Sequence, residues 1–412
     1  MKRIFTLLTP LIIFCTIHFN ASAQDQWALD SIVSTGGSPS GIAITSDNSK
    51  LVVTNKASVN VISTLDYTVS NINMSPIVSD SWGVAIAPND STAYVTGSAH
   101  VVWINLQTNS IAGNFLTPCV ATSLYGLAVT PNGRNVIFPD LSSGCTQEGI
   151  RIIDATGKTS GSSFVQILTS GVTFGIALTP DGTSAVVTTW SNGYPKLINL
   201  NTSAVQNLDS ISYSTGVAVL HKTKEALIDD CSYIDRVSLT GAYAPKQIAT
   251  SFFSSNTQSI AITADDKYAF VVGDFGKSVI SLADNSVIQT FTSGATNVVT
   301  VSDGSKFYVT DTYNGTVRVY KKIASTGFVE TKTNIFSIYP NPASNVITLN
   351  VNKIDNEALT LNIYSISGTL VKSELLKQNQ QKTNIADLPN GVYLVTIKSK
   401  NETETKKLIV QR

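Results

Sequence analysis

A unit of about 43 residues, repeated seven times, constrains this chain more than any other feature. Each copy opens with a small residue and a short apolar run, passes a polar turn, and continues into a β-branched run. Gly41-Ile-Ala-Ile leads to SDNS and LVVTN, and Gly83-Val-Ala-Ile to PNDS and AYVTG. Gly126-Leu-Ala-Val leads to PNGR, Gly175-Ile-Ala-Leu to PDGT, and Gly216-Val-Ala-Val to HKTK. Ser259-Ile-Ala-Ile leads to ADDK, and Asn297-Val-Val-Thr to SDGS and FYVT. The starts lie 42, 43, 49, 41, 43 and 38 residues apart, a period that belongs to repeat architectures.

Apolar alternation broken by Pro, Asn, Asp and Gly reads as a β-hairpin. A second β-rich pair follows each hairpin, as in VVWINLQTNSIAGNF (101–115) and SVISLADNSVIQTFT (278–292). Four short strands per unit make one propeller blade, and seven blades close a ring. The last unit stops after its third strand, TVRVYKK (316–322), whereas an orphan strand, WALDSIV (27–33), precedes the first. That orphan is expected to complete the last blade and remove two open sheet edges. Gly and Ala are poor strand formers. They suit the innermost strands, where neighbouring backbones approach closely. The expected fold class is therefore all-β: a seven-bladed β-propeller over residues 24–322, then a small C-terminal β-sandwich.

Leu51-Val-Val-Thr-Asn, Ala93-Tyr-Val-Thr and Phe307-Tyr-Val-Thr, with the preceding Pro-Asp-Gly type of turn, resemble the YVTN-type (lactonase-like) β-propeller repeat. The likeness covers about residues 25–322. It departs at His221-Lys-Thr-Lys and at Val271-Val272-Gly273, where irregular blades are expected. Relatives of this kind include surface modules, binding proteins and enzymes, so the resemblance implies a fold more than an activity.

Past a polar linker (323–335), strands separated by Asn-Pro, Ser-Gly and Asn-Gly turns form the sandwich over 336–412. Tyr339, Pro340, Asn341 and Pro342, then Ile363-Tyr-Ser-Ile-Ser-Gly, Leu388-Pro-Asn-Gly-Val-Tyr and a terminal Lys-Lys-Leu-Ile-Val closely resemble the C-terminal sorting domain of type IX secretion cargo. The resemblance implies a Bacteroidetes-type exported protein, with the type IX machinery as partner and removal of the tail after export. The other end agrees. Lys2 and Arg3, an apolar stretch from Ile4 to Phe19 and Ala21-Ser22-Ala23 describe a signal peptide over residues 1–23. No other apolar run approaches the ~20 residues of a membrane-spanning helix, so no transmembrane anchor is expected.

Charged residues make up 14% of the chain and net charge is zero. That is low beside ~25% for an average domain, and it argues against nucleic acid as a partner. Of three histidines, His18 leaves with the signal peptide. His100 and His221 fall in loop types on opposite faces of a propeller and cannot share a site, which argues against a Ser/His/Asp triad or a His-based metal centre. Cys119 and Cys145 fall in loops that emerge on the same face, making a disulfide between them reasonable in an oxidising compartment; Cys231 is then left over.

The residues just before the recurring small residue are Ser40, Trp82, Tyr125, Phe174, Thr215, Gln258 and Thr296. They should ring the channel mouth, where aromatic faces with a polar rim suit either a sugar or an apolar peptide side chain, or simply the packing of one blade against the next. Trp82, Tyr125, Phe174 and Gln258 are the candidate ligand-binding residues. Asp140, Asp230, Asp274 and Asp311, at the ends of second strands, are the candidate metal ligands. They belong to four different blades, which argues for solvated loop acids or turn caps over a shared ion. No cofactor is predicted beyond an optional divalent cation. These features together imply a secreted or surface-attached module that binds a glycan or a protein. The alternatives are a lactonase-like or lyase-like enzyme whose metal is held by the loop acids, and a structural surface module with no discrete ligand.

Overall fold

Strands form here where β-branched residues run or alternate, and they stop where Asn, Asp or Gly can adopt a left-handed backbone. In six of the seven repeat hairpins a turn residue takes that backbone, at Asn48, Asp90, Gly133, Gly182, Asp266 and Gly304, with φ between 54° and 69°. The computed structural model describes residues 25–117, 126–140, 149–155, 164–169, 172–190, 193–208, 211, 214–230, 233–241, 246–249, 257–323, 336–351, 359–376, 378–398 and 403–412. Two compact units divide these residues, one covering 25–324 and the other 325–412.

The first unit consists of seven four-stranded antiparallel sheets, among the described residues. Sheets one to six are consecutive, spanning 39–73, 84–116, 128–168, 173–207, 217–249 and 257–291. In each of these the strands lie side by side in chain order. The seventh takes three strands from 298–323 and its fourth from the start of the chain. Gln26–Ser34 pairs antiparallel with Thr316–Ile323, from Gln26 opposite Ile323 to Ser34 opposite Thr316, with one irregularity between Leu29 and Ser31. The first strand of each sheet touches the first strand of the next, and Val298–Thr300 returns to touch Pro39–Ile44. The sheets therefore form a closed ring.

The core lies between the sheets as a series of slabs. Val52, Val59 and Val61 of sheet one pack with Ala93, Val95, Val102 and Ile104 of sheet two. Val317, Val319 and Tyr308 of sheet seven pack with Ile42, Leu51, Val53 and Ile62 of sheet one. Burial on both faces explains why the second strands are continuous apolar runs: Leu51, Val52 and Val53 are all fully buried. Between sheets six and seven the slab is aromatic, with Trp27, Tyr268, Phe270, Phe307 and Tyr320 in one cluster.

The second unit has a three-stranded and a four-stranded sheet that share one apolar cluster, from Phe336 through Leu361 and Ile363 to Val410. The residue motifs of the tail meet there. Asn341 accepts the Ile409 amide (2.8 Å) and donates to the Lys407 carbonyl (2.7 Å), so the first motif holds the last strand. Tyr393 donates to the Pro389 carbonyl, and Arg412 to the carbonyls of Ile385 and Leu388. The peptide bonds before Pro340 and Pro342 are both cis.

Candidate binding site at the ring centre

Seven strands that converge on an axis leave little room, and the glycines are where the space runs out. A Cβ on Gly41 would lie 2.2 Å from the Trp82 carbonyl oxygen, one on Gly175 2.2 Å from that of Thr215, and one on Gly126 2.6 Å from that of Phe174. In each case the approaching atom belongs to the residue that precedes the small residue of the next sheet.

A recurring threonine fixes the same junction. Thr54 Oγ1 accepts the Gly41 amide (2.7 Å) and donates to the Trp82 carbonyl (3.0 Å). Thr188 accepts from Gly175 (2.8 Å) and donates to the Thr215 carbonyl (2.9 Å). Thr310 accepts from Asn297 (3.0 Å) and donates to the Ser40 carbonyl (2.8 Å), which closes the ring. A hydroxyl can do both because it is donor and acceptor at once. The residues before the small position are thus pinned by their main chains while their side chains border the central space.

That space is a cavity of about 500 Å³, within the ~300–1,000 Å³ of small-ligand sites. All seven sheets contribute to its wall. Trp82 and Phe174 line it, and so do Ser40, Thr215, Thr296 and Thr312. Sequence reasoning missed Trp190, which lines the same cavity and lies with its ring centre 5.9 Å from that of Phe174, tilted by 31°. It occurs once, directly after a second strand, so no repeat position points to it. Tyr125 lies outside the described residues, as do Cys119, Cys145 and Cys231. The Gln258 main chain runs in strand Thr257–Ile262, and its side chain lies outside the described residues.

In sheet five an acid replaces the threonine. Asp229 accepts the amides of Thr215 (2.6 Å) and Gly216 (2.8 Å) and the Thr215 hydroxyl (3.0 Å). Burial pushes its carboxyl up to about 7, against the pull of those hydrogen bonds. The four candidate metal ligands fare differently. Asp311 is bound to Arg318 at 2.5 Å and accepts both the amide and the side-chain nitrogen of Asn314. Asp230 and Asp274 are half-buried, and burial raises the pKa of each. The Asp140 side chain lies outside the described residues. No group of three or more His, Cys, Asp or Glu close enough to share an ion occurs among the described residues. His221 bonds to Asp266 of the adjacent sheet at 3.0 Å, and His100 to the Ser98 carbonyl at 3.0 Å.

Comparison with known proteins places the ring unit among β-propellers. A Kuenenia stuttgartiensis hydrazine synthase structure aligns with a TM-score of 0.60 at 14% identity, covering 71% of this chain and 98% of that one. The Cps50 (Swd1) β-propeller domain of Myceliophteria thermophila aligns with a TM-score of 0.59 at 10% identity, covering 72% of this chain and 99% of that one. At such identities the likeness concerns the fold alone. Residues 337–411 match the family described as the secretion system C-terminal sorting domain. The chain therefore carries the tail that directs type IX export, to the cell surface or beyond it. An endo-acting ulvan lyase of Formosa agariphila is 38% identical over 76 residues, which is 18% of this chain and 14% of that protein. So short a match brings no activity with it.

Proposed function

We propose that the mature protein is a seven-bladed β-propeller of the YVTN type which binds a glycan or a protein at its channel mouth. The signal peptide (1–23) and the C-terminal sandwich (336–412) serve export and are removed from the working module. One observation carries the binding reading: a cavity walled by every sheet of the ring gathers Trp82, Phe174 and Trp190 together with hydroxyl-bearing residues. The seven four-stranded sheets, the Gln26–Ser34 strand of the last one and the threonine junctions support the seven-blade reading. Aromatic side chains supply large contact area at low entropic cost, and hydroxyls fix orientation.

The test is a glycan array together with a surface-protein library, probed with the exported chain and with its Trp82→Ala and Phe174→Ala variants. Retention that both variants lose, with melting temperatures close to the parent, supports the reading. Variants that lose stability while keeping the parent's affinity would assign both aromatics to packing alone. Turnover of a lactone or polysaccharide that chelation abolishes would favour the metal-enzyme alternative.

A further inference from the structure

The two faces of the ring differ in chemistry. Connectors from the fourth strand of one sheet to the first of the next lie on the mouth side, as do those from second to third strands. Hydrogen bonds join the two types: Met74 donates to Ala57, Thr117 to Ala99, Ala295 to Gly273 and Thr35 to Gly315. Among the described residues of the first type (35–40, 74–82, 117, 169, 172–174, 208, 211, 214–215 and 292–297) only Asp80 is charged, and the described residues of the second type add Lys56 and Asp274. Each of the seven turns on the opposite face carries at least one charge, from Asp47 in the first to Asp303 in the last. The described cavity lining contains no Asp, Glu, Lys, Arg or His.

The exposed aromatic residues are equally one-sided. Those of the ring unit, among the described residues, are Trp190 (36% exposed), Tyr194 (44%), Tyr233 (42%), Phe275 (63%) and Tyr313 (92%). All five sit in or directly beside second-to-third-strand connectors, on sheets four, four, five, six and seven. A single exposed aromatic is ordinary, but a run over four consecutive sheets on one face is a patterned surface. Trp190 belongs to both features, since it lines the cavity and starts the arc.

We infer that this arc is an extended subsite for an uncharged oligosaccharide whose chain end enters the cavity. The inference rests on the mouth being the binding site. A sugar ring offers apolar C–H faces to an aromatic plane and hydroxyls to Ser and Thr side chains, and the arc supplies the first while the cavity lining, with Thr296 and Thr312, supplies the second. The described cavity lining offers no cation to pair with a carboxylate or sulfate, so a polyanion would lose hydration there without gaining a partner. A cavity of about 500 Å³ has room for only the end of a chain, and the arc supports the units that follow.

The experiment titrates the exported chain with cello-, xylo- and manno-oligosaccharides of increasing length, with polygalacturonate and a peptide library as the competing classes. For at least one neutral series, affinity should rise with length. A Phe275→Ala/Tyr313→Ala double variant, which alters only exposed side chains, should lose that rise by about three- to tenfold per residue removed and bind the shortest member as before. Trp82→Ala should lose all members. Short sugars that bind through Trp82, with an unchanged length dependence in the double variant, overturn the arc and leave the mouth standing. Binding of polygalacturonate or peptides alone overturns the ligand class. No retention of any probe overturns both.

Discussion

Trp27→Ala is the sharpest test of how the ring is shut. The indole is 1% exposed. It donates from Nε1 to the Gly304 carbonyl at 2.8 Å and meets Tyr268 and Phe270 edge-on at 5.1 and 5.3 Å. Its main chain exchanges two hydrogen bonds with the Gln289 side chain, at 2.8 and 2.7 Å, and these survive the substitution. Truncating a buried Trp costs ~3–5 kcal/mol, and the orphaned Gly304 carbonyl pushes the cost toward the upper half of that range. Taking ~4 kcal/mol, and ~2 °C per kcal/mol for a unit this large, the midpoint should fall by ~8 °C. Thermal unfolding followed by circular dichroism reads this directly, with Leu29→Ala, half-exposed on the same strand, as the control. A Trp27→Ala midpoint within ~2 °C of the parent, or no lower than the control, would refute the idea that this strand holds the ring closed.

Other outcomes follow from features described above. Asp229 keeps its proton up to about pH 7 when folded, whereas an unfolded Asp releases it near pH 3.8. Its contribution to stability is therefore greatest at acid pH, falls as pH rises from about 4 to about 7, and then levels off. Urea midpoints of Asp229→Asn should lack that decline, and an unchanged slope would assign it elsewhere. Thr188→Val keeps shape but leaves the Gly175 amide and the Thr215 carbonyl unpartnered, which should cost ~2–3 kcal/mol by urea unfolding; Thr188→Ser should stay near the parent. Deletion of residues 336–412 should leave the protein in the periplasm by fractionation, and normal export of that truncation would contradict the sorting role.

Periodicity made the sheets legible, because a hairpin that recurs near every 43 residues leaves few ways to bury both faces of each sheet. The small residues at Gly41 and Gly175 were legible for the same reason, since crowding at an axis demands them. Thr54, Thr188 and Thr310 recur just as visibly, yet a threonine in a strand reads first as a good strand former. Only the distances to two main chains reveal the clasp. Trp190 has no counterpart in other units, so nothing in the pattern marks it. The pairing of Asp311 was hidden because Arg318 lies seven residues on and meets it only across a strand pair.

The register of the shared sheet has a further consequence, for the chain's timetable. Gln26 stands opposite Ile323, so the first strand made is among the last to find its place. Until residues 316–323 emerge, that segment has no partner, and a chain halted earlier must keep one sheet unfinished. The same register puts the entrance and exit of the ring side by side. A cut anywhere after Ile323 would spare every strand of the closure, because Ile323 is the last residue paired with the first strand.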